Sequence, residues 1–365
     1  MRHLAQEFHT GIPAIAATIT ATLACRPVGA LIFGLLADRY GRRRPLMVNL
    51  VFYSAVEVLS GLATDYTTFL ILRALFGIGM GGEWGVGASL AMEKAPARWR
   101  GLLSGVLQEG YAVGYLLAAC CSFFILPHWG WRAMFFIGGL PALLALFVRS
   151  KVKESAIWEK SRPENWETVQ SRIIPHWKLF LYLTLLMMMM NFISHGTQDM
   201  YPTFLKEQRG FSDQRTAVTA IIYNLGALSG GIFFGAFSDR MGRRRSMIIA
   251  LVMAVLLIPL WAFGPSGPLL VLGAFLMQFM VQGAWGVVPA HISELSPDSV
   301  RGFLPGFAYQ CGVLLAGSVA WMESVFAKSL TYSTAMAMTA LTVFVLGIVV
   351  IAAGKEKRAS IFGGE

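Results

Sequence analysis

Charge is scarce in this chain. Asp, Glu, Lys and Arg make up 14% of its 365 residues, against about 25% in an ordinary soluble domain. Polar helical faces at a 3.6-residue period are also largely missing, which excludes a water-soluble helical protein. Only four cysteines occur, Cys25, Cys120, Cys121 and Cys311. All fall within apolar stretches and none shows metal-ligand spacing, so no metal centre is expected. No nucleophile triad is present. The one glycine-rich run, "GIGMGG" at 77–82, lies inside an apolar stretch rather than between a strand and a helix, so it reads as helix packing and not as a nucleotide loop. No enzyme activity and no cofactor are expected.

What the chain has instead is apolar length. Hydrophobic residues make up 56% of it, and the mean hydropathy is +0.59. Eleven apolar stretches lie near 10–37, 45–64, 67–92, 100–126, 131–149, 178–205, 214–238, 246–264, 267–293, 302–327 and 331–353. Each is close to the roughly 20 residues that carry a helix across a bilayer. The fold class read from this pattern is an all-α membrane protein. Its segments divide into an N-terminal bundle (1–149), a linker (150–177), a C-terminal bundle (178–353) and a tail (354–365).

The net charge of +10 could suggest nucleic acid, but the basic residues sort differently. They crowd into "DRYGRRR" (38–44), "EKAPARWR" (93–100), the linker, "DRMGRRR" (239–245) and "KEKR" (355–358). The alternate turns, "ATDYTT", "HWGWR" and "GPSGP", are poor in them. Positive loops face the cytoplasm, so this balance reports orientation and no nucleic-acid partner. Linker and tail are expected inside, in a plasma membrane (the inner membrane of a bacterium).

The chain also repeats. "GLLADRYGRRR" starts at Gly34 and "GAFSDRMGRRR" at Gly235, a shift of 201. The same shift carries Trp84-Gly85-Val86 onto Trp285-Gly286-Val287, Glu93 onto Glu294, Pro96 onto Pro297 and Arg100-Gly101 onto Arg301-Gly302. Two halves on one plan are the pattern of transporters built from parallel repeats. The second half has six stretches and the first has five. Shifted back, the partner of 178–205 falls ahead of Met1, so a twelve-helix plan without its first helix is expected.

Gly34, Leu36, Ala37, Asp38, Arg39, Gly41, Arg42 and Arg43 resemble the loop motif between helices two and three of the major facilitator superfamily. Gly235, Asp239, Arg240, Gly242 and Arg243 repeat it. The resemblance covers essentially the whole chain. It implies two pseudo-repeated bundles and a gating role for Asp38, Arg39, Arg42, Asp239, Arg240 and Arg243, paired with neighbouring helix ends in one state and released in the other. An acid favours helix N-termini, and arginine pairs strongly with carboxylate.

Ionisable residues within spans are functional candidates. Arg26, in "TLACRPVGALIFG", lies too deep to reach water comfortably and needs an anion, either a protein acid (Glu83 or Glu109) or the substrate. Pro27 beside it loosens the local helix. Glu83 in "GMGGEWGVG" and Glu109 in "LQEGYAVGY" can take up a proton or neutralise Arg26. Glu57, His291 and Glu323 read as structural.

One further stretch, "NFISHGTQDMYPT" (191–203), places Asn191, Ser194, His195, Gln198 and Asp199 on one side of a helix at about 100° per residue. Lipid would not tolerate that face, so it lines a cavity or a polar helix interface. Pro202 is expected to break the helix near its outer end. Asn191, Ser194, His195, Thr197, Gln198, Asp199 and Thr203 match the pattern N-x-x-[S/T]-H-x-[S/T]-Q-D, then Thr, of Jen-type monocarboxylate–proton symporters. These belong to the wider sialate–proton symporter family, which "RPVGALIFGLLADRYGRRRPL" and "GMGGEWGVG" also resemble.

The resemblance implies that Asn191, His195, Gln198 and Asp199 lie in the substrate and proton path. Together with the charges inside spans, the candidates are Arg26, Asn191, His195 and Gln198 for substrate binding and Asp199, His195, Glu83 or Glu109 for proton coupling. The expected function is symport of a small carboxylate, such as lactate or pyruvate, with a proton, by rocking of the two halves. The pair is electrically neutral, which avoids moving net charge through the membrane. The expected partners are that substrate, the proton and the lipid bilayer, with the protein a monomer. A sialic acid or aromatic-acid symporter on the same scaffold, a drug or metabolite exporter and a non-transporting sensor are the rival readings.

Overall fold

A computed structural model describes residues 2–317 and 319–363, and among these no strand occurs. The helices run α1 (Arg2–Glu7), α2 (Ile12–Tyr40), α3 (Arg43–Leu62), α4 (Tyr66–Lys94), α5 (Arg100–Phe124), α6 (Leu126–Gly138), α7 (Ala142–Lys151), α8 (Ala156–Ser161), α9 (Trp166–Ile173), α10 (Trp177–Gln198), α11 (Tyr201–Glu207), α12 (Asp213–Met241), α13 (Arg243–Phe263), α14 (Gly267–Leu295), α15 (Leu304–Ala316), α16 (Val319–Ser329) and α17 (Tyr332–Ala353). Nine helical stretches among the described residues are long and apolar enough to cross a membrane. The 25-residue α5 and the α15–α16 pair occupy the other two expected positions.

Local chemistry sets the ends. Gly41 and Gly242 stop α2 and α12 at φ 98° and 99°, a conformation strained for a residue with a Cβ. These are the two glycines of the repeated loop. Asp65, Ser212 and Thr331 cap α4, α12 and α17 by accepting from backbone N–H groups. The bond from the Thr68 N–H holds the Asp65 carboxyl below the usual carboxylate range.

Three stretches differ from their expected form. The 131–149 stretch begins earlier, as α6 at Leu126, turns at Gly130 with φ 72°, and breaks again before α7. The 178–205 stretch is interrupted after α10, with Asp199 and Met200 ahead of α11. That break precedes Pro202, which has no N–H to donate to the Gln198 carbonyl oxygen four residues back and whose ring crowds it. The 302–327 stretch is likewise divided, α15 ending at Ala316.

Helix packing follows the repeat. α2 packs closely on α4 and, 201 residues on, α12 packs on α14. The backbones touch: a Cβ at Gly81 would lie 1.9 Å from the Arg26 carbonyl oxygen. The halves meet through α5 against α12 and α2 against α15. Leu186, Met190, Trp261 and Phe344 are core residues of the second half, and Phe33, Leu50 and Val86 of the first. Val48, Leu62, Ile221, Leu256 and Val349 point outward, as lipid-facing side chains do.

Candidate transport site and the clamp between the halves

The arginine-rich end is built twice from the same parts. Asp38 accepts the Gly302 and Phe303 N–H groups at 2.8 and 3.1 Å, just ahead of α15. Asp239 accepts the Gly101 and Leu102 N–H groups at 2.8 and 2.9 Å, at the start of α5. Each half therefore offers a carboxylate to a helix start in the other, where free N–H groups and the helix dipole favour an anion. Only glycine fits there. A Cβ at Gly302 would sit 2.6 Å from the Asp38 carboxylate, and one at Gly101 would sit 2.4 Å from the Gly235 carbonyl oxygen.

Arg42 and Arg243 hold these carboxylates in place. Arg42 is buried and donates to Asp38 at 2.6 Å and to Glu93 at 3.1 Å. Arg243 donates to Asp239 at 2.8 Å and grips Glu294 with two bonds of 2.9 Å. Arg100 crosses between the halves to Glu294 at 3.0 Å. Arg301 pairs with Asp298 at 2.6 Å and reaches Glu93 at 3.6 Å. Glu154 in the linker and Glu356 in the tail accept the N–H groups that open α3 and α13.

Arg39 and Arg240 do not join this network. Arg39 donates to the Pro163 and Glu164 carbonyl oxygens of the linker. The Arg240 side chain is exposed.

The tail closes over the clamp. The Phe362 ring lies 3.7 Å from the guanidinium carbons of both Arg100 and Arg301, one from each half. The Ala359 N–H donates to Glu294 and the Gly363 N–H to Asp298. Cation–π contacts contribute about 0.5–2 kcal/mol each. Phe362→Ala is therefore expected to lower the unfolding midpoint in detergent and to speed hydrogen exchange at the Gly101 and Gly302 amides. Phe362→Trp restores both. Unchanged exchange in Phe362→Ala would mean that the ring adds nothing to the clamp.

Deeper in the molecule, aromatic groups separate the clamp from the polar region. Trp84 stacks on Tyr309 at 4.3 Å, and Trp285, its repeat partner, meets the same ring edge-on at 6.1 Å. The Ser104 hydroxyl of α5 donates to the Gly286 carbonyl and accepts the Ala290 N–H, entering the backbone ladder of α14 beside Pro289.

At 1.5 Å per residue, Arg26 and Asn191 both lie about 21 Å from the arginine-rich ends of their helices, and His195 lies about 27 Å away. Among the described residues Arg26 makes no hydrogen bond or ion pair through its guanidinium, and its Nε is buried without a partner. Glu83 lies within its electrostatic reach. Glu109 does not serve it: its carboxyl sits over Gly231 of α12, 1.9 Å from where a Cβ would stand. The glycine at 231 makes room for that acid between the halves.

On α10, His195 Nδ1 lies 3.1 Å from Asp199 Oδ2, both side chains 40% exposed. Gln198 donates to Gln278 at 2.7 Å, and Gln282 donates to Ser194 at 3.2 Å. Asn191 is buried and turns one N–H back to the Met187 carbonyl oxygen at 2.7 Å. The stripe thus faces α14, whose Gln278 and Gln282 went unread in the sequence. Their signal was two amides four residues apart in an apolar span, which puts both on one helix face. Of the acids and the histidine read as structural, Glu57 pairs with Arg73 at 2.6 Å. Among the described residues, His291 and Glu323 are buried without hydrogen-bond partners.

The model of the Major Facilitator Superfamily matches residues 1–234, and that of the "Sugar (and other) transporter" family matches 180–355. The chain belongs to the major facilitator superfamily. Among its relatives is a Saccharomyces cerevisiae protein named "Carboxylic acid transporter protein homolog", 28% identical over 91% of this chain. The match spans 60% of that relative's length. Escherichia coli "Sialic acid transporter NanX" is 31% identical over 83% of this chain and 76% of its own length. A "Probable 4-methylmuconolactone transporter" of Cupriavidus pinatubonensis is 33% identical over 82% and 72%. A structure of the proton:xylose symporter XylE aligns over 99% of this chain and 92% of its own, with a TM-score of 0.75 and 20% identity, which establishes the fold alone. This major facilitator protein is an integral multi-pass membrane protein and a secondary transporter, not an enzyme.

Proposed function

We propose that the chain carries a small carboxylate, such as lactate or pyruvate, together with a proton, by alternating access. The observation that carries this reading is the α10 stripe: a histidine and an acid within hydrogen-bond distance, beside amides bonded to the amides of α14. Asn191 and Gln198 hydrogen-bond the substrate, Arg26 attracts its carboxylate, and His195 and Asp199 carry or sense the proton. Glu83 and Glu109 stand as secondary proton sites. The clamp at Asp38, Asp239, Arg42 and Arg243 holds the arginine-rich face shut and releases when the halves rock, while Arg39 and Arg240 act from the loop rim. Positive loops favour the inside, so this face, the linker and the tail are cytoplasmic. One chain supplies both walls of the site, in keeping with a monomer.

Three relatives are named for carboxylic acid, sialic acid and a muconolactone. A sialic acid substrate is the second reading, favoured by the higher identity to that relative, 31% against 28%. The test is uptake into proteoliposomes of labelled lactate, pyruvate and sialic acid, with and without an inward proton gradient. Gradient-driven accumulation of lactate or pyruvate is expected. Accumulation of sialic acid alone selects the second reading, and accumulation of none overturns both.

Arg26→Lys belongs in the same assay. Lysine keeps the charge but loses the planar two-donor fork that matches a carboxylate. Charge-assisted hydrogen bonds contribute about 1.5–3 kcal/mol, so apparent affinity is expected to fall about 10-fold or more. Unchanged kinetics at normal expression would return Arg26 to an electrostatic partner of Glu83.

A further inference from the structure

We propose that Glu323 of α16 is a proton-binding side chain of the transport cavity, seated against α10 beside His195 and Asp199. The inference deepens the symport reading and rests on it for its function, though not for its chemistry. Glu323 is 1% exposed, and among the described residues neither carboxyl oxygen has a hydrogen-bond partner. Asp38, Glu93, Glu294 and Asp298, also buried, each pair with an arginine within 4 Å, and buried Glu109 has no arginine ion pair among the described residues.

The seat is defined by a glycine. A Cβ at Gly196 would lie 3.6 Å from Glu323 Oε1, so the carboxyl rests on the bare backbone of α10 next to His195. The approach to the Gly196 backbone puts the Glu323 carboxyl close to the depth of His195, about 27 Å from the start of α10. Asp199, just past the end of α10, is in electrostatic reach of it as a like charge, and His195 is the hydrogen-bond neighbour of that Asp199. α17, the other helix packed on α16, contributes no Asp, Glu, Lys, Arg or His between Tyr332 and Ala353. Lys328, the other charged residue of α16, falls five positions on.

A carboxylate here would be a buried charge with a neighbouring anion and no cation among the described residues. Such a charge is far more costly than the neutral acid. Glu323 therefore holds one proton in this conformation. When α16 parts from Gly196 and water enters, the acid can release that proton to water or to the Asp199 carboxylate. One O–H bond breaks and one forms, and net charge is unchanged. This gives the α10 pair a third member on a helix of the same half.

The proton itself is the readout. Infrared difference spectra of the substrate-free protein, wild type minus Glu323→Gln, are expected to contain the C=O stretch of a protonated carboxylic acid. In uptake, Glu323→Gln is expected to keep substrate exchange, lower gradient-driven accumulation about 10-fold and flatten its pH dependence. A merely structural acid would leave the pH profile in place. If Glu323→Gln does not fold, Glu323→Asp serves, since shortening the side chain shifts the band. A folded variant whose difference spectrum shows only a carboxylate band overturns the inference. The spectrum needs no substrate, so a failure to transport carboxylates would sink the symport reading while leaving the protonated acid in view.

Discussion

Asp199→Asn is expected to abolish gradient-driven accumulation while substrate exchange across the membrane continues. The substitution keeps the size of the side chain and removes its titratable acid. The partner is defined: His195 Nδ1, 3.1 Å away, one helical turn earlier. Both groups are 40% exposed, and an exposed pair of this kind contributes about 0.3–0.5 kcal/mol to stability. Folding is therefore not at stake. Coupling is, because a carrier that cannot bind the proton at this point can still bind and return substrate. His195 and Asp199 form one hydrogen-bonded pair, so substituting either is expected to change the pH profile of uptake. His195→Ala is expected to shift that profile and weaken binding together. An Asp199→Asn carrier that still concentrates substrate, with normal pH dependence, would remove Asp199 from the coupling path. Glu323, Glu83 and Glu109 would then be the sites to examine.

The fold was legible because the bilayer enforces it. Apolar length, basic loops and the 201-residue shift each followed from a strong constraint, and the structure builds its clamp from the same repeated residues. Breaks within spans were harder to read. Pro202 signalled one in advance, because proline lacks a backbone donor and crowds the preceding turn, but the division after Ala316 had no proline to mark it. Side-chain partners were least legible. The Arg26 and Glu83 neighbours depend on how closely α2 approaches α4, which a glycine at 81 allows without announcing. Gln278 and Gln282 lay in a span read for its hydropathy, its repeated Trp285-Gly286-Val287 and His291, but not for its amides. Glu323 resembled any isolated acid near a span end, and only the bare backbone at Gly196, 127 positions earlier, gives it a cavity-side seat. Phe362 in the tail carried no signal at all, since its two arginines come from different halves.

Opening of the arginine-rich face is the second large effect expected, from Asp38→Asn combined with Asp239→Asn. Each carboxylate accepts two N–H groups from a helix start in the opposite half. An amide can accept through its oxygen, but its NH2 faces the second N–H donor, so at least one charge-assisted bond is lost per site. At about 1.5–3 kcal/mol each, the two sites together withdraw about 3–6 kcal/mol from the closed arrangement. Every 1.4 kcal/mol is tenfold in population, so the closed state is expected to lose at least about 100-fold against the open one. Arg42 and Arg243 keep Glu93 and Glu294 as partners in the double variant, which protects the fold of each half. Spin labels placed on the Tyr40 and Met241 loops report the result as a distance across the face. Lengthening is expected in the double variant, with intermediate shifts of similar size in the two single variants because the sites are copies. A distance distribution identical to the parent in a folded double variant would show that these bonds do not hold the face shut. The closure would then rest on the tail and on the ion pairs that still join the two halves, Arg100 with Glu294 at 3.0 Å and Arg301 with Glu93 at 3.6 Å.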